Sequence, residues 1–266
     1  MTEASSAPGA GIPCWMDLLT SDVARAREFY GQTFSWQALE PSPEFGGYFM
    51  FTLDGEPVAG GMPILPEMAA TDVVMTDGWG VYLASPDVNA TIDRAVAHGG
   101  KIRLPAMEVA DLGTQAIIED PGGARIGIWQ PGAFPGFGAI GTGKPGTPAW
   151  FELHARDHGG AVTFYRAALG WDPKVVSDTD DFRLTAVEAD GQPVAGIMDA
   201  CAYLPEGQAP HWDAYVSVAD ADKTLALAAE LGGAVLQEPM DTPFGRLAAL
   251  ADPMGARIKV LARTGL

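Results

Sequence analysis

Cationic residues are scarce in this 266-residue chain: 16 Lys plus Arg stand against 34 Asp plus Glu, a formal net charge of −18. Nucleic-acid binding relies on clustered Lys and Arg to displace phosphate counterions, and no such cluster occurs, so nucleic acid is not an expected partner. A cationic or neutral small ligand fits better than a polyanion. Cysteine is scarcer still. Cys14 and Cys201 stand alone without CxxC spacing, so neither a zinc knuckle nor a disulfide framework can be read. Met1 to Pro13 has no basic residue and no apolar h-region, and no run of 18 apolar residues occurs, so neither a leader nor a membrane span is expected. HExxH and GxSxG are also missing, which removes support for zinc-protease and serine-hydrolase readings. Together these absences predict a reduced, cytoplasmic, soluble protein. What is present is ample apolar material, 47% of residues, which suffices for a buried core and makes disorder an unsuitable description.

The chain repeats itself. Residues 12 to 37 lie over residues 147 to 172 without a gap, sharing Pro13/Pro148, Trp15/Trp150, Leu18/Leu153, Asp22/Asp157, Ala26/Ala161, Phe29/Phe164, Tyr30/Tyr165 and Trp36/Trp171. Chance supplies about two such identities, so a duplicated fold is implied. DGEPVAGGM (54–62) answers DGQPVAGIM (190–198), and DPGGARIGI (120–128) answers DPMGARIKV (252–260), in the same order. Between the copies, ten of the eighteen residues 131–148 are Gly or Pro, a linker composition. The expected organisation is a disordered tail (1–11), a first domain (12–130), a linker (131–146) and a second domain (147–266).

Each half subdivides again. Short alternating runs end at Asp22, Asp87, Asp157 and Asp220, and a helical pattern starts at once, which places each aspartate as an N-cap. Gly99-Gly100 and Gly232-Gly233 read as helix stops, and Asp54-Gly55 and Asp190-Gly191 as hairpin turns. The predicted unit, used four times, is strand, helix, then two or three strands. The linker run from Gly136 to Gly141 matches a dinucleotide fingerprint but neither follows a clear strand nor opens a helix. Gly138 to Lys144 has phosphate-loop spacing but is followed by Pro145, so both matches are read as composition.

With its D-x-x-x-A-x-x-F-Y helix and its closing D-P-x-G-x-x-I strand, this paired βαβββ unit resembles the vicinal oxygen chelate superfamily, which includes glyoxalase I, extradiol dioxygenases and bleomycin-resistance proteins. The likeness is greatest to two-domain actinobacterial glyoxalase-like members. It implies an α+β fold of tandem duplicated glyoxalase-like domains, each of paired βαβββ modules with curved mixed sheets forming a concave cavity. Strand alternation directs Trp15, Asp17 and Leu19, and in the repeat Trp150, Glu152 and His154, toward those cavities. Gly80, Tyr82 and Ala84, with Asp213, Tyr215 and Ser217, follow on the next strands. Arg125, Gly127 and Trp129, with Arg257, Lys259 and Leu261, follow on the last. Chelating relatives hold a divalent ion with His, Gln or Glu at positions that fall here on Trp15, Gly80 and Gly127 and on Trp150, Asp213 and Lys259. Of these six, only Asp213 can coordinate, so the resemblance arrives without its usual metal set, and no metal or cofactor is expected. A relocated site from Glu152, His154, Asp213 and His211 is the alternative. Against it stands simple charge balance of Glu152 and Asp213 by Lys259 and Arg257. His98 and His158 read as surface residues near helix ends.

The leading expectation is a metal-independent protein that binds an aromatic or polycyclic metabolite, such as an antibiotic, as monomer or homodimer. Trp15, Tyr82, Trp129, Trp150 and Tyr215 would stack on the ligand, Asp17, Glu152 or Asp213 would pair with its cations, and Arg125 and Arg257 would line the site. The same rings could instead plug the hollows. The second expectation is a lyase, isomerase or cyclase with Glu152 or His154 as general base and Lys259 stabilising negative charge. A metal-dependent dioxygenase or glyoxalase comes third. Segments 63–78 and 199–210 are candidate lids.

Overall fold

The computed structural model describes residues 8–65, 76–137 and 140–263. Four modules follow one another. The first comprises β1 (Pro13–Thr20), α1 (Val23–Phe34), β2 (Gln37–Ala38), β3 (Phe49–Leu53) and β4 (Glu56–Pro63). The second comprises β5 (Gly78–Ala84), α2 (Val88–Ala97), β6 (Lys101–Val109), β7 (Gly113–Glu119) and β8 (Arg125–Pro131). The third comprises β9 (Pro148–Ala155), α3 (His158–Leu169), β10 (Lys174–Asp178), β11 (Arg183–Ala189) and β12 (Gln192–Asp199). The fourth comprises β13 (His211–Ser217), α4 (Ala221–Glu230), β14 (Ala234–Thr242), β15 (Gly245–Ala251) and β16 (Arg257–Ala262).

Local chemistry explains the module boundaries. The carboxylates of Asp22, Asp87, Asp157 and Asp220 accept hydrogen bonds from the backbone N–H groups of Arg25, Ala90, Gly160 and Lys223. Each satisfies a first-turn donor that has no partner within its helix. Asp54 and Asp190 hold φ of 53° and 52°, followed by Gly55 and Gly191 at 86° and 74°. Two successive left-handed residues give the tight turn whose twist suits a hairpin. In β1 the side chains of Met16, Leu18 and Thr20 are fully buried, whereas Asp17 and Leu19 on the other face are half-buried, the alternation expected of a strand with one face under a helix.

The strands form two eight-stranded mixed sheets, in the orders β2-β3-β4-β1-β5-β8-β7-β6 and β10-β11-β12-β9-β13-β16-β15-β14. Within each, β1 runs parallel to β4, β5 to β8, β9 to β12 and β13 to β16, while the hairpin strands pair antiparallel. This is the α+β architecture of paired, internally repeated modules that the sequence predicts. No helix of the described residues is long and apolar enough to cross a membrane.

By internal packing the chain divides into two compact units, and neither coincides with a half of the sequence. One takes the chain up to Trp15, Val81–Gly136 and Phe151–Asp213; the other takes Met16–Gly80, Phe137–Trp150 and Ala214–Leu266. The recurring sequence motifs account for this division. In the first unit, Tyr165 of α3 donates to Asp120 Oδ2 (3.3 Å) and accepts from Trp212 Nε1 (3.0 Å). A Cβ on Gly100 would lie 3.0 Å from the Phe164 ring, so that ring sits directly on the glycine pair ending α2. In the second unit, Tyr30 of α1 donates to Asp252 Oδ2 (3.1 Å) and accepts from Trp79 Nε1 (2.9 Å), and Phe29 lies against Gly233 in the same way. The Phe-Tyr pair of one sequence half thus meets the Gly-Gly and Asp-Pro motifs of the other. Each unit exchanges modules between the halves.

Desolvation pushes the carboxyl groups of Asp120 and Asp252 above the usual aspartate range, against the lowering influence of the hydrogen bonds they accept. A carboxyl whose folded pKa is raised binds protons more readily in the native state, so its contribution to stability declines as pH rises from about 4 through the folded value. Asp252→Asn removes that titration; its one carbonyl oxygen takes the place of Oδ1, which accepts from the backbone N–H groups of Met254 and Ala256, and its amide NH2 faces the Tyr30 hydroxyl in place of Oδ2. The stability of the parent chain relative to this variant should therefore fall as pH is raised across the window, as measured by urea unfolding at a series of pH values. A difference that stays flat with pH would contradict the assignment.

Candidate functional site

The third and fourth modules bring together the polar residues that alternation selected. On β9, Phe151, Leu153 and Ala155 are buried on one face, leaving Glu152 and His154 two residues apart on the other. On β13, its neighbour in the sheet, His211 and Asp213 are likewise two apart. His154 Nε2 lies 3.1 Å from Glu152 Oε1 and 3.2 Å from Asp213 Oδ2, and these three side chains are 7%, 9% and 4% exposed. His211 Nε2 lies 3.7 Å from Asp213 Oδ1, and its imidazole is parallel to that of His154, with ring centroids 5.2 Å apart. One imidazole nitrogen thus stands between two carboxylate oxygens, all shielded from water. Donor atoms of His154, His211 and Asp213 all lie within 4.8 Å of one another.

The usual chelating positions have other occupants. Trp150 packs with Leu247 against the buried cluster of Ala149, Tyr215 and Leu261. Lys259, in register with Tyr215, donates from Nζ to the Tyr215 hydroxyl (3.0 Å) and lies 4.9 Å from the ring centroid. An indole and an ammonium group cannot ligate a cation, so these positions do not fit the ion that chelating relatives carry. In the first half, the position answering Lys259 is Gly127, and a Cβ there would lie 2.2 Å from Cδ1 of Tyr82. Tyr82 lies flat across the glycine. Trp15 meets Phe134 edge-on at 4.8 Å, and Trp129 meets Phe134 at 6.2 Å while donating from Nε1 to its carbonyl (3.0 Å). Trp15, Tyr82 and Trp129 are each less than a tenth exposed.

Phe134 carries no sequence signal of its place because it lies in a Gly/Pro-rich stretch, between Ala133 and Pro135 with Gly132 and Gly136 beyond them. All that marks it is its being a large apolar residue in a linker, which a flexible tether has no reason to carry. Other expected site residues lie elsewhere. Arg125 is at the surface, 3.9 Å from Glu119, which also holds Arg103 and Lys101. Asp17 is half-buried on β1, and Arg257 opens β16, also half-buried. His98 is exposed and caps α2, with Nδ1 2.8 Å from Arg94 O. His158 is not fully at the surface as expected: it is half-buried with Nε2 3.4 Å from Thr185 Oγ1, and desolvation lowers its pKa. Of the two candidate lids, residues 66–75, including Met68 and Met75, lie outside the described residues. Segment 199–210 is tied down instead by Arg156, which donates to the carbonyls of Leu204 (3.2 Å) and Gln208 (3.1 Å).

The sequence profile of the Glyoxalase/Bleomycin resistance protein/Dioxygenase superfamily matches this chain twice, over residues 14–128 and 147–260. The chain is 37% identical to the protein CFP32 of Mycobacterium tuberculosis over 254 residues, 94% of each chain. It is also 37% identical to the anthracycline biosynthesis protein DauV of Streptomyces sp. (strain C5), over 96% of this chain and 94% of that one. Among solved structures, it is similar to the Mn(II)-bound glyoxalase of Novosphingobium aromaticivorans, with a TM-score of 0.62, 16% identity and coverage of 96% and 83%. It is also similar to the 2,3-dioxygenase LapB of Pseudomonas sp. KL28, with a TM-score of 0.62, 14% identity and coverage of 95% and 92%. At those identities the two structures bear on fold alone.

Proposed function

This chain belongs to the Glyoxalase/Bleomycin resistance protein/Dioxygenase superfamily, and from that premise we propose that it binds an aromatic or polycyclic metabolite and moves a proton on it. Glu152 is the general base. His154, held against it and against Asp213, sets the charge and direction of the carboxylate. The observation that carries this reading is the placement of one buried imidazole nitrogen 3.1 and 3.2 Å from two carboxylates. A carboxylate held in a fixed place in a water-shielded site is the kind of group that abstracts a proton activated by a neighbouring carbonyl. The reaction class is that of a lyase, isomerase or cyclase.

The ligand class is supported from a second direction. DauV of Streptomyces sp. (strain C5) and DnrV of Streptomyces peucetius, 37% and 36% identical to this chain, are named anthracycline biosynthesis proteins, and anthracyclines are fused-ring aromatics bearing carbonyls. Such a ligand has both the flat surface that rings recognise and the acidic C–H positions that a carboxylate base needs.

Titration with a panel of hydroxyanthraquinones tests the binding step. A ligand of this class should quench tryptophan fluorescence saturably and raise the melting temperature, by the equivalent of about 2.7 kcal/mol at one hundred times Kd. An unchanged spectrum and an unchanged melt across the panel would reject the ligand class.

A further inference from the structure

We infer that the hydroxyl of Tyr215 is the proton donor that works opposite Glu152, giving its proton to the substrate oxygen on which charge develops, and that Lys259 is its positioning residue. This role rests on the reading of Glu152 as the base. A carboxylate that removes a proton beside a carbonyl leaves negative charge on the carbonyl oxygen, and an acid placed at that oxygen lowers the barrier.

Three neighbouring strands carry the groups involved, with β13 between β9 and β16 in the sheet. Asp213 and Tyr215 are two apart on β13 and therefore share a face, and Asp213 meets the His154 nitrogen that also meets Glu152. Two residues of strand cover about 6.8 Å. The span from a base to a donor across an enolisable carbonyl unit is of that order: about 2.4 Å from carbon to oxygen, with roughly 2.6–3.2 Å of contact at either end. On its other side Tyr215 is in register with Lys259, whose Nζ donates to the hydroxyl at 3.0 Å. An ammonium has hydrogens to give and no lone pair, so the phenol oxygen is the acceptor in that contact and its own hydrogen points away from Lys259. Once that hydrogen is transferred, the phenolate stays beside a cation in a charge-assisted hydrogen bond. Tyr215 and Lys259 are both buried, so water screens the pair little. The other charged and titratable groups that alternation places on this face are Glu152, His154, His211, Asp213 and Arg257.

The next residue on the same face of β13 is Ser217. Its side chain is buried, and its Oγ has no hydrogen-bond partner among the described residues. A buried hydroxyl left so is costly, and a polar ligand on this face would satisfy it. Trp150 and Leu247, both only partly buried, pack against the cluster that contains Tyr215 and offer a flat surface for the ligand's rings. In the first half Gly127 stands in register with Tyr82, where Lys259 stands in register with Tyr215, so one site per chain is expected.

In the step itself the C–H bond next to the carbonyl breaks and its proton passes to Glu152. The electron pair becomes a carbon–carbon double bond, the carbonyl π pair moves to oxygen, and that oxygen takes the proton of Tyr215. Return of both protons, the one on Glu152 to a different carbon, completes an isomerisation without oxidant or further reactant.

The probe is 1-tetralone, a fused-ring ketone with one enolisable position, whose exchange of α-protons in deuterium oxide is followed by proton NMR with the full chain. Tyr215→Phe, which keeps the ring, should lower kcat for exchange by about 100-fold or more and leave KM nearly unchanged. Lys259→Met should lower kcat in the same sense, with Lys259→Arg, which keeps the charge, falling between it and the parent. A purely structural pair would move stability and KM instead. The infrared carbonyl stretch of bound 1-tetralone should shift to lower frequency in the parent and in Glu152→Gln, and lose that shift in Tyr215→Phe. Exchange that is lost in Glu152→Gln but parent-like in Tyr215→Phe overturns the donor and leaves the base standing. No exchange by the parent overturns base and donor together. Should Tyr215→Phe fail to fold by circular dichroism, the infrared shift in the parent decides, and an unshifted carbonyl rejects the donor.

Discussion

Glu152→Gln is expected to lower turnover of a fused-ring substrate by about two to four orders of magnitude, the range a positioned general base supplies, while changing ligand affinity by less than about tenfold. The two effects separate because Gln keeps the shape of the side chain and a carbonyl oxygen that can still accept from His154 Nε2, now 3.1 Å from Glu152 Oε1. What is lost is the capacity to take a proton. Stability should hold or rise, because the substitution removes one of two carboxylates buried beside the same imidazole. Steady-state turnover and fluorescence titration of the same preparation provide the check. Equal turnover in the variant would remove Glu152 from the chemistry and leave a protein that binds its metabolite without transforming it.

Gly127→Glu, which restores the residue type that chelating relatives use on their last strand, is expected to destabilise the first half by about 4 kcal/mol. Overpacking a filled core costs about 1–3 kcal/mol, and here even the first added carbon would lie 2.2 to 2.6 Å from three atoms of the Tyr82 ring. Tyr82 has little room to yield, being less than a tenth exposed. The new carboxylate would also be buried, adding a cost of about 1–3 kcal/mol even if it ionises only partly. A loss of this size is a large fraction of the roughly 5–15 kcal/mol that holds a typical protein folded. Urea unfolding should show a lower midpoint with the slope unchanged. Gly127→Ala should show the milder, purely steric part. Parent-like stability in Gly127→Glu would mean that Tyr82 swings away and the face opens.

The two predictions mark a difference between the halves. The corresponding strands β5 and β13 place a tyrosine at 82 and at 215, but Gly127 lets the first ring lie flat, whereas Lys259 engages the second through its hydroxyl. On the first strands, Leu19 answers His154. One half has filled its face with Trp15, Trp129 and Phe134, and the other has kept Glu152, His154 and Asp213. The repeated frame thus carries different side chains on the corresponding faces of its two halves.

Reading along the chain located what depends on near neighbours. An aspartate followed by a helical period is a cap whatever surrounds it, and Asp22, Asp87, Asp157 and Asp220 all act so. The period of two on β9 and β13 placed Glu152, His154, His211 and Asp213 on usable faces, and their convergence was one of the alternatives it left open. Charge balance by Lys259 was another, and no local pattern could choose between them.

By itself, then, the sequence determined the four modules, their order, the caps and turns that bound them and the face each strand residue occupies, because these follow from backbone geometry over a few residues. Only the tertiary structure decided that Tyr30 reaches Asp252 and Tyr165 reaches Asp120, that Phe134 leaves the linker to pack on Trp15, and that His154 stands between Glu152 and Asp213. Those outcomes depend on side-chain shape and desolvation between residues up to 222 positions apart, and such contacts leave no periodic trace in the chain.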